Sequence, residues 1–159
     1  EIPEVTDGSV IIKDIARDAG NRSKVSVFTE DESIDPIGSC IGQRGSRITT
    51  IITELGGEKI DVIQYSKNIE DYIKQALSPA KIISVKLEEE NKEASVTVPA
   101  DQFSLAIGRG GQNVRLAADL TDWTIKVLQE DAPDVAVSSE EAPEAVAEKV
   151  EDVEEKAVE

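Results

Sequence analysis

Two stretches decide how this chain is read: Ile41-Gly42-Gln43-Arg44-Gly45-Ser46-Arg47-Ile48 and Ile107-Gly108-Arg109-Gly110-Gly111-Gln112-Asn113-Val114. Both follow the pattern apolar-Gly-x-x-Gly-x-x-apolar, and their first glycines stand 66 positions apart. Each lies between two helix-like segments and holds an arginine inside its glycine pair. A fixed internal period in a chain of 159 residues points to two small, similar units. A unit of that size buries only about 60% of its unfolded surface, so docking of the two copies would help each.

The flanking segments repeat in the same order. Pro3 allows one helical turn at the entry, with Gly8 as a stop. Val10 to Asp18 is rich in β-branched residues, Asp18-Ala19-Gly20-Asn21 supplies turn chemistry, and Lys24 to Thr29 alternates with period two, which together predict a hairpin. Asp35 as N-cap and Pro36 at the first helical position open a short helix that ends at the first glycine pair. Ile48, Ile51, Ile52 and Leu55 then mark one helix face, closed by Gly56-Gly57, and Lys59 to Tyr65 alternates as a strand. Asn68 caps the next helix, with Ile69, Tyr72, Ile73 and Leu77 on one face and Ser78-Pro79 as the stop. No Gly/Ser linker separates the units, so the junction is expected to be stiff. Lys81 to Leu87 and Ala94 to Val98 predict two strands, Ala100 to Ile107 a short helix, Val114 to Leu120 a second helix, and Trp123 to Val127 a closing strand. From Glu130 onward, prolines interrupt Ala, Val, Ser and 12 acids with no aromatic residue, and residues 130–159 are expected to be a disordered acidic tail.

The charge is −16 in total. Residues 1–129 hold 15 Lys and Arg against 21 Asp and Glu, whereas residues 130–159 hold 2 against 12, so acidity concentrates at the end of the chain. There is no histidine, which excludes histidine acid–base chemistry and histidine metal sites. The single cysteine, Cys40, cannot form an internal disulfide and reads as a small apolar filler. No apolar run reaches the ~18 residues of a membrane span and no secretory signal opens the chain, so a soluble, cytoplasmic protein is expected. The chain begins at Glu1 rather than methionine and reads as a fragment or a processed product. Neither loop continues as Gly-Lys-Ser/Thr, and Gly108-x-Gly110-Gly111 lacks the third glycine of a dinucleotide fingerprint. Trp123 reads as a packing residue, and Asp61, Asp119 and Asp122 as solvated carboxylates. No constellation suggests catalysis, so no enzyme, cofactor or metal is expected.

A tight Gly-x-x-Gly loop lets the backbone approach whatever lies over it, because the glycines remove side-chain bulk. The helix that starts there aims its free N–H groups and positive dipole end at the same spot. Arg44 and Arg109 add a phosphate-pairing donor to each loop. In K-homology (KH) domains such a loop clamps the backbone of about four nucleotides of single-stranded nucleic acid. Aromatic residues are 3% of the chain, which disfavours recognition by stacking platforms.

Strand-strand before the helix pair is the order of a type II KH fold. The segments Leu55-Gly56-Gly57-Glu58-Lys59-Ile60-Asp61-Val62, Ala76-Leu77-Ser78-Pro79-Ala80-Lys81 and Leu105 to Ala117 resemble the tandem KH family of bacterial NusA-type transcription termination and antitermination factors. The resemblance covers roughly residues 1–129. It implies an α+β chain of two tandem type II KH domains, 1–66 and 67–129, each a three-stranded sheet with helices on one face, with bases lying in an apolar groove beside the helix pair. It further implies single-stranded RNA (the nascent transcript) as ligand and RNA polymerase as partner through domains that would precede Glu1. A monomer is expected. The loop residues it points to are Ile41, Gly42, Gln43, Arg44, Gly45 and Ser46, and Ile107, Gly108, Arg109, Gly110 and Gly111, with Arg47, Gln112 and Arg115 flanking. Two other readings stay open: a protein-interaction scaffold using the acidic surface and tail, or a KH protein of ribosomal RNA.

Overall fold

The computed structural model describes residues 1–141. Contacts divide it into two units, Glu1–Ala76 and one that begins at Leu77.

In the first unit a short turn of helix, α1 (Pro3–Thr6), precedes the hairpin β1 (Ile11–Asp18) and β2 (Arg22–Phe28). The short helix α2 (Pro36–Ile41), a single turn over residues 43–45, and α3 (Ser46–Glu54) follow. They carry the chain across to β3 (Lys59–Gln64), and α4 (Ile69–Ala76) closes the unit. The sheet order is β1-β2-β3, with β1 antiparallel and β3 parallel to β2. A parallel neighbour needs a crossover, and the α2–α3 pair provides it. Asp35 stands at the cap position of α2, but its side chain makes no capping bond; Pro36 alone supplies the helix-start signal. Asn68, by contrast, caps as expected, accepting from the Asp71 amide at 3.1 Å.

Alternation sorts the sheet into two faces. Val25 and Val27 face α2 and α3 together with Ile60 and Val62, beside buried Cys40. Burial pushes the Cys40 thiol up, which fits the role of an apolar filler. The opposite face carries Ser26, to which Tyr72 of α4 donates at 2.9 Å, and Tyr65, whose ring meets that of Tyr72 edge-on at 5.1 Å. Asp61 lies on this second face and is not a solvated carboxylate. It accepts from Arg22 Nε at 2.8 Å and from Lys24 Nζ at 3.0 Å, and the Lys24 side chain is fully buried. Glu58 is also buried and ties the hairpin turn to β3, accepting from Arg17 Nε at 3.0 Å and from the Gly20 amide at 2.8 Å. Those donors hold its carboxyl below the ordinary carboxylate range.

The second unit contains β4 (Ser84–Glu88), β5 (Glu93–Val98), α5 (Ala100–Ile107), a turn over residues 109–111, α6 (Gln112–Thr121), β6 (Thr124–Gln129) and β7 (Ala132–Ser138). Its sheet has four strands rather than the three expected, in the order β4-β5-β6-β7. The extra strand is built from residues 132–138, which the sequence reading placed in a disordered tail. Val135 and Val137 fall on one face of this strand two residues apart, Val137 is 1% exposed, and Val127 pairs with it across the ladder. Pro133 is compatible because β7 is an edge strand. The remainder of the expected tail, from residue 142, lies outside the described residues.

Candidate nucleic-acid interface

Each glycine loop is set by backbone geometry that its sequence dictates. Gly42 closes α2 at φ 77°, ψ 172°, and Gly108 closes α5 at φ 77°, ψ 171°. This region is open to glycine and costly for other residues. A Cβ at Gly42 would stand 3.0 Å from the Arg47 amide nitrogen, and one at Gly108 2.8 Å from that of Asn113. Both first glycines are therefore required twice, by dihedral and by the close approach of the next helix.

The correspondence continues residue by residue. Gly45 and Gly111 take φ 74° and 72°, and each donates its amide to the first glycine's carbonyl at 3.1 Å. Between them the second variable position is left-handed in both loops, Arg44 at φ 53° and Gly110 at φ 60°. The two loops thus share one backbone, but their arginines do not share one position: Arg44 is the second residue inside its pair and Arg109 the first. α3 and α6 begin directly after the loops, so their free N–H groups and positive ends lie at the loop.

The expected site residues divide by exposure. Gln43, Arg44, Ser46, Arg109 and Gly110 are exposed. Gly42, Gly45, Gly108 and Gln112 are half-buried beside them, and Ile41 is half-buried at the end of α2. Ile107 and Gly111 are buried, and Ile107 belongs to the core of the second unit. Arg115 folds back onto its own loop, donating to the Gly110 carbonyl at 3.2 Å. Arg47 is held within the first unit: its Nη1 donates to Glu4 Oε2 and to the Ser39 carbonyl, each at 2.7 Å.

Beside the first loop lies an apolar cleft of about 290 Å³ between the sheet and α3. Ile12 and Ile15 of β1 form one wall and Ile48, Ile51 and Leu55 the other, with Val25 and Val62 between. Ile12 and Ile15 are three residues apart and in a regular strand would point to opposite faces. A bulge between Ile12 and Asp14 shifts the register, so Ile12 pairs with Val27 and Ile15 with Val25, both on the helix side. These walls remain partly open to solvent, Ile12 at 42% and Ile15 at 53% exposure. None of the residues of α3 is buried, whereas α6 buries Val114, Leu116, Ala117 and Leu120. Sequence reasoning missed the β1 wall because the bulge reverses the alternation that would have revealed it.

The order of elements, the parallel strand pair spanned by a helix–loop–helix, and the matched glycine loops define tandem KH domains of type II. Residues 1–65 match the NusA-like first KH domain and residues 69–135 the NusA-like second KH domain; the chain belongs to this NusA-like tandem KH family. It is 48% identical over 143 residues to the transcription termination/antitermination protein NusA of Halalkalibacterium halodurans, an alignment that covers 89% of this chain and 37% of that protein. It is 56% identical over 128 residues to the NusA of Borreliella burgdorferi, covering 80% of this chain and 27% of the relative. The chain therefore spans well under half the length of these curated relatives. Among solved structures, the crystal structure of APE1850 superposes with a TM-score of 0.56 at 28% identity, covering 81% of this chain and 94% of that one.

Proposed function

We propose that this chain is the single-stranded RNA-binding part of a transcription termination and antitermination factor, with residues 1–66 and the residues from 67 onward as its two KH domains. The observation that carries the reading is the doubled loop, two glycine turns of one backbone geometry, each opening a helix and each exposing an arginine. A strand of RNA crossing a loop meets helix N–H groups and a guanidinium with no side-chain bulk at the first glycine. In the first domain its bases descend into the apolar cleft walled by Ile12, Ile15, Ile48 and Ile51. The nascent transcript is the proposed ligand, and contact with RNA polymerase is assigned to parts of the longer protein.

The test is fluorescence anisotropy with short single-stranded RNA at low salt, comparing wild type with Arg44→Asp, Arg109→Asp and the double variant. Charge-assisted bonds to phosphate are worth about 1.5–3 kcal/mol each, so every single variant is expected to weaken binding by roughly tenfold or more. Wild type that gives no anisotropy change with RNA but binds a basic protein would favour the scaffold reading and overturn this one.

A further inference from the structure

We propose that Arg47 is not a phosphate ligand but a positioning residue, which with Glu4 braces the first glycine loop and makes α1 part of the RNA clamp. The inference rests on the RNA-binding reading above and assigns a role within that site.

The geometry of the pair is that of a brace. One nitrogen, Arg47 Nη1, donates to two acceptors on different elements, Glu4 Oε2 of α1 and the Ser39 carbonyl in the last turn of α2, both at 2.7 Å. The last-turn carbonyls of a helix have no partner within it, so the bond to Ser39 satisfies one of them and fixes the helix that enters the loop. Both charged side chains are about 30% exposed, Arg47 at 31% and Glu4 at 29%. The stem of Arg47 also fills the space above the first glycine, its Cγ lying 2.7 Å from where a Gly42 Cβ would be. Packing, ion pair and helix cap thus converge on one side chain five residues after Gly42.

The second unit uses the corresponding position for the same purpose with different chemistry. Asn113 stands five residues after Gly108, is fully buried, and cannot touch RNA. Its Nδ2 donates to the Ala106 carbonyl in the last turn of α5 at 2.9 Å and to the Leu77 carbonyl at 3.0 Å. In both units, then, the seventh residue of the loop motif joins the last turn of the preceding helix to a segment further upstream. A position that is internal in one copy and already engaged twice in the other serves the shape of the loop in both.

The charges make the inference separable from simple electrostatics. Removing Glu4 takes a negative charge away from a polyanion's path, so a purely coulombic effect would tighten RNA binding, while loss of the brace weakens it. We expect Glu4→Ala and Arg47→Gln each to weaken RNA binding about three- to tenfold, and the double variant to be no worse than Arg47→Gln alone. Neither should alter the dependence of log K on log salt, whereas Arg44→Gln should reduce that slope by about 0.7, the value for one lost phosphate contact on a single strand. Amide hydrogen exchange supplies a readout independent of RNA: Gly45, whose N–H closes the loop onto the Gly42 carbonyl, should exchange at least about tenfold faster in both variants while β2 amides keep their wild-type rates. Tighter binding by Glu4→Ala, a slope reduced by about 0.7 in Arg47→Gln, or unchanged exchange at Gly45 would each overturn the brace. Wild type that binds no RNA would instead remove the functional reading, and the exchange measurement would still decide the brace.

Discussion

Arg44 is the residue at which the two loops part. Its backbone adopts a left-handed conformation that the second loop gives to Gly110, and for a side chain larger than glycine this costs on the order of 1 kcal/mol. Strain of this kind persists where the surroundings hold it, here a loop closed at both glycines and an exposed guanidinium aimed outward. The sequence displays the arginine and the glycine pairs, because those are backbone requirements written in residue identity. It does not display Glu4 as a partner of Arg47, since the two are 43 positions apart and no local pattern joins them. Nor does it display that Asp61 is ion-paired and mostly covered, at 14% side-chain exposure, because alternation along β3 shows a face but not what packs on it. The partner on that face, Lys24, is itself fully buried, and its ammonium is pushed down to about 8 chiefly by desolvation, against the pull of Asp61. A lysine depressed in the folded state binds its proton less readily than in the unfolded chain, where it titrates near 10.4. Between these values the unfolded state carries more protons, so stability rises with pH. Chemical denaturation should show wild type gaining about 2 kcal/mol over Lys24→Met from pH ~7.5 to ~9.5. A constant difference across that window would mean that Lys24 titrates normally.

At the level of elements, the helices and strands around the loops follow from period and punctuation, and their order identifies the fold. What the sequence conceals is the phase of β1 and the existence of β7. In β1 one extra residue at the bulge sends Ile12 and Ile15 to the same side, turning what reads as a two-faced strand into the wall of the apolar cleft. In β7 the alternation of Val135 and Val137 is diluted by Pro133, Asp134 and the acidic run that follows, so compositional reasoning assigns it to the tail. Physically, its strongest anchor is Val137, 1% exposed and paired with buried Val127. Truncating a buried valine to alanine removes about two methylene equivalents, at about 0.8 kcal/mol each, and leaves a small cavity. Val137→Ala is therefore expected to destabilise the second unit by about 2 kcal/mol. A chain ended at Glu130 should unfold at a distinctly lower temperature than one ended at Glu141. Equal melting temperatures for those two lengths, read by calorimetry, would mean that β7 contributes nothing to the fold.

For the molecule as a whole, the proposed function raises the question of how a chain of charge −16 and pI about 4.4 would hold a polyanion. Residues 1–129 carry 15 cationic and 21 anionic side chains, so the long-range field of the KH region repels RNA and cannot steer it. On the proposed reading, binding arises from contacts made within a Debye length, about 8–10 Å at moderate salt, at the two loops. Counting one phosphate each for Arg44 and Arg109, the slope of log K against log salt is expected near about −1.4. Raising salt from ~50 to ~200 mM should then cost less than about tenfold in affinity, far less than for a protein that neutralises six or more phosphates. On the same reading the apolar cleft, which salt does not screen, is expected to supply the remainder of the affinity. Residues 142–159 carry seven acids and two lysines, and this linked charge is expected to compete for the same loops at high effective concentration. A chain ended at Glu141, which retains β7, should bind RNA more tightly than the full chain at low salt, and the advantage should fade as salt screens the tether. A slope steeper than about −3 would count four or more neutralised phosphates, placing RNA on lysines outside the loops and enlarging the site beyond the two glycine turns.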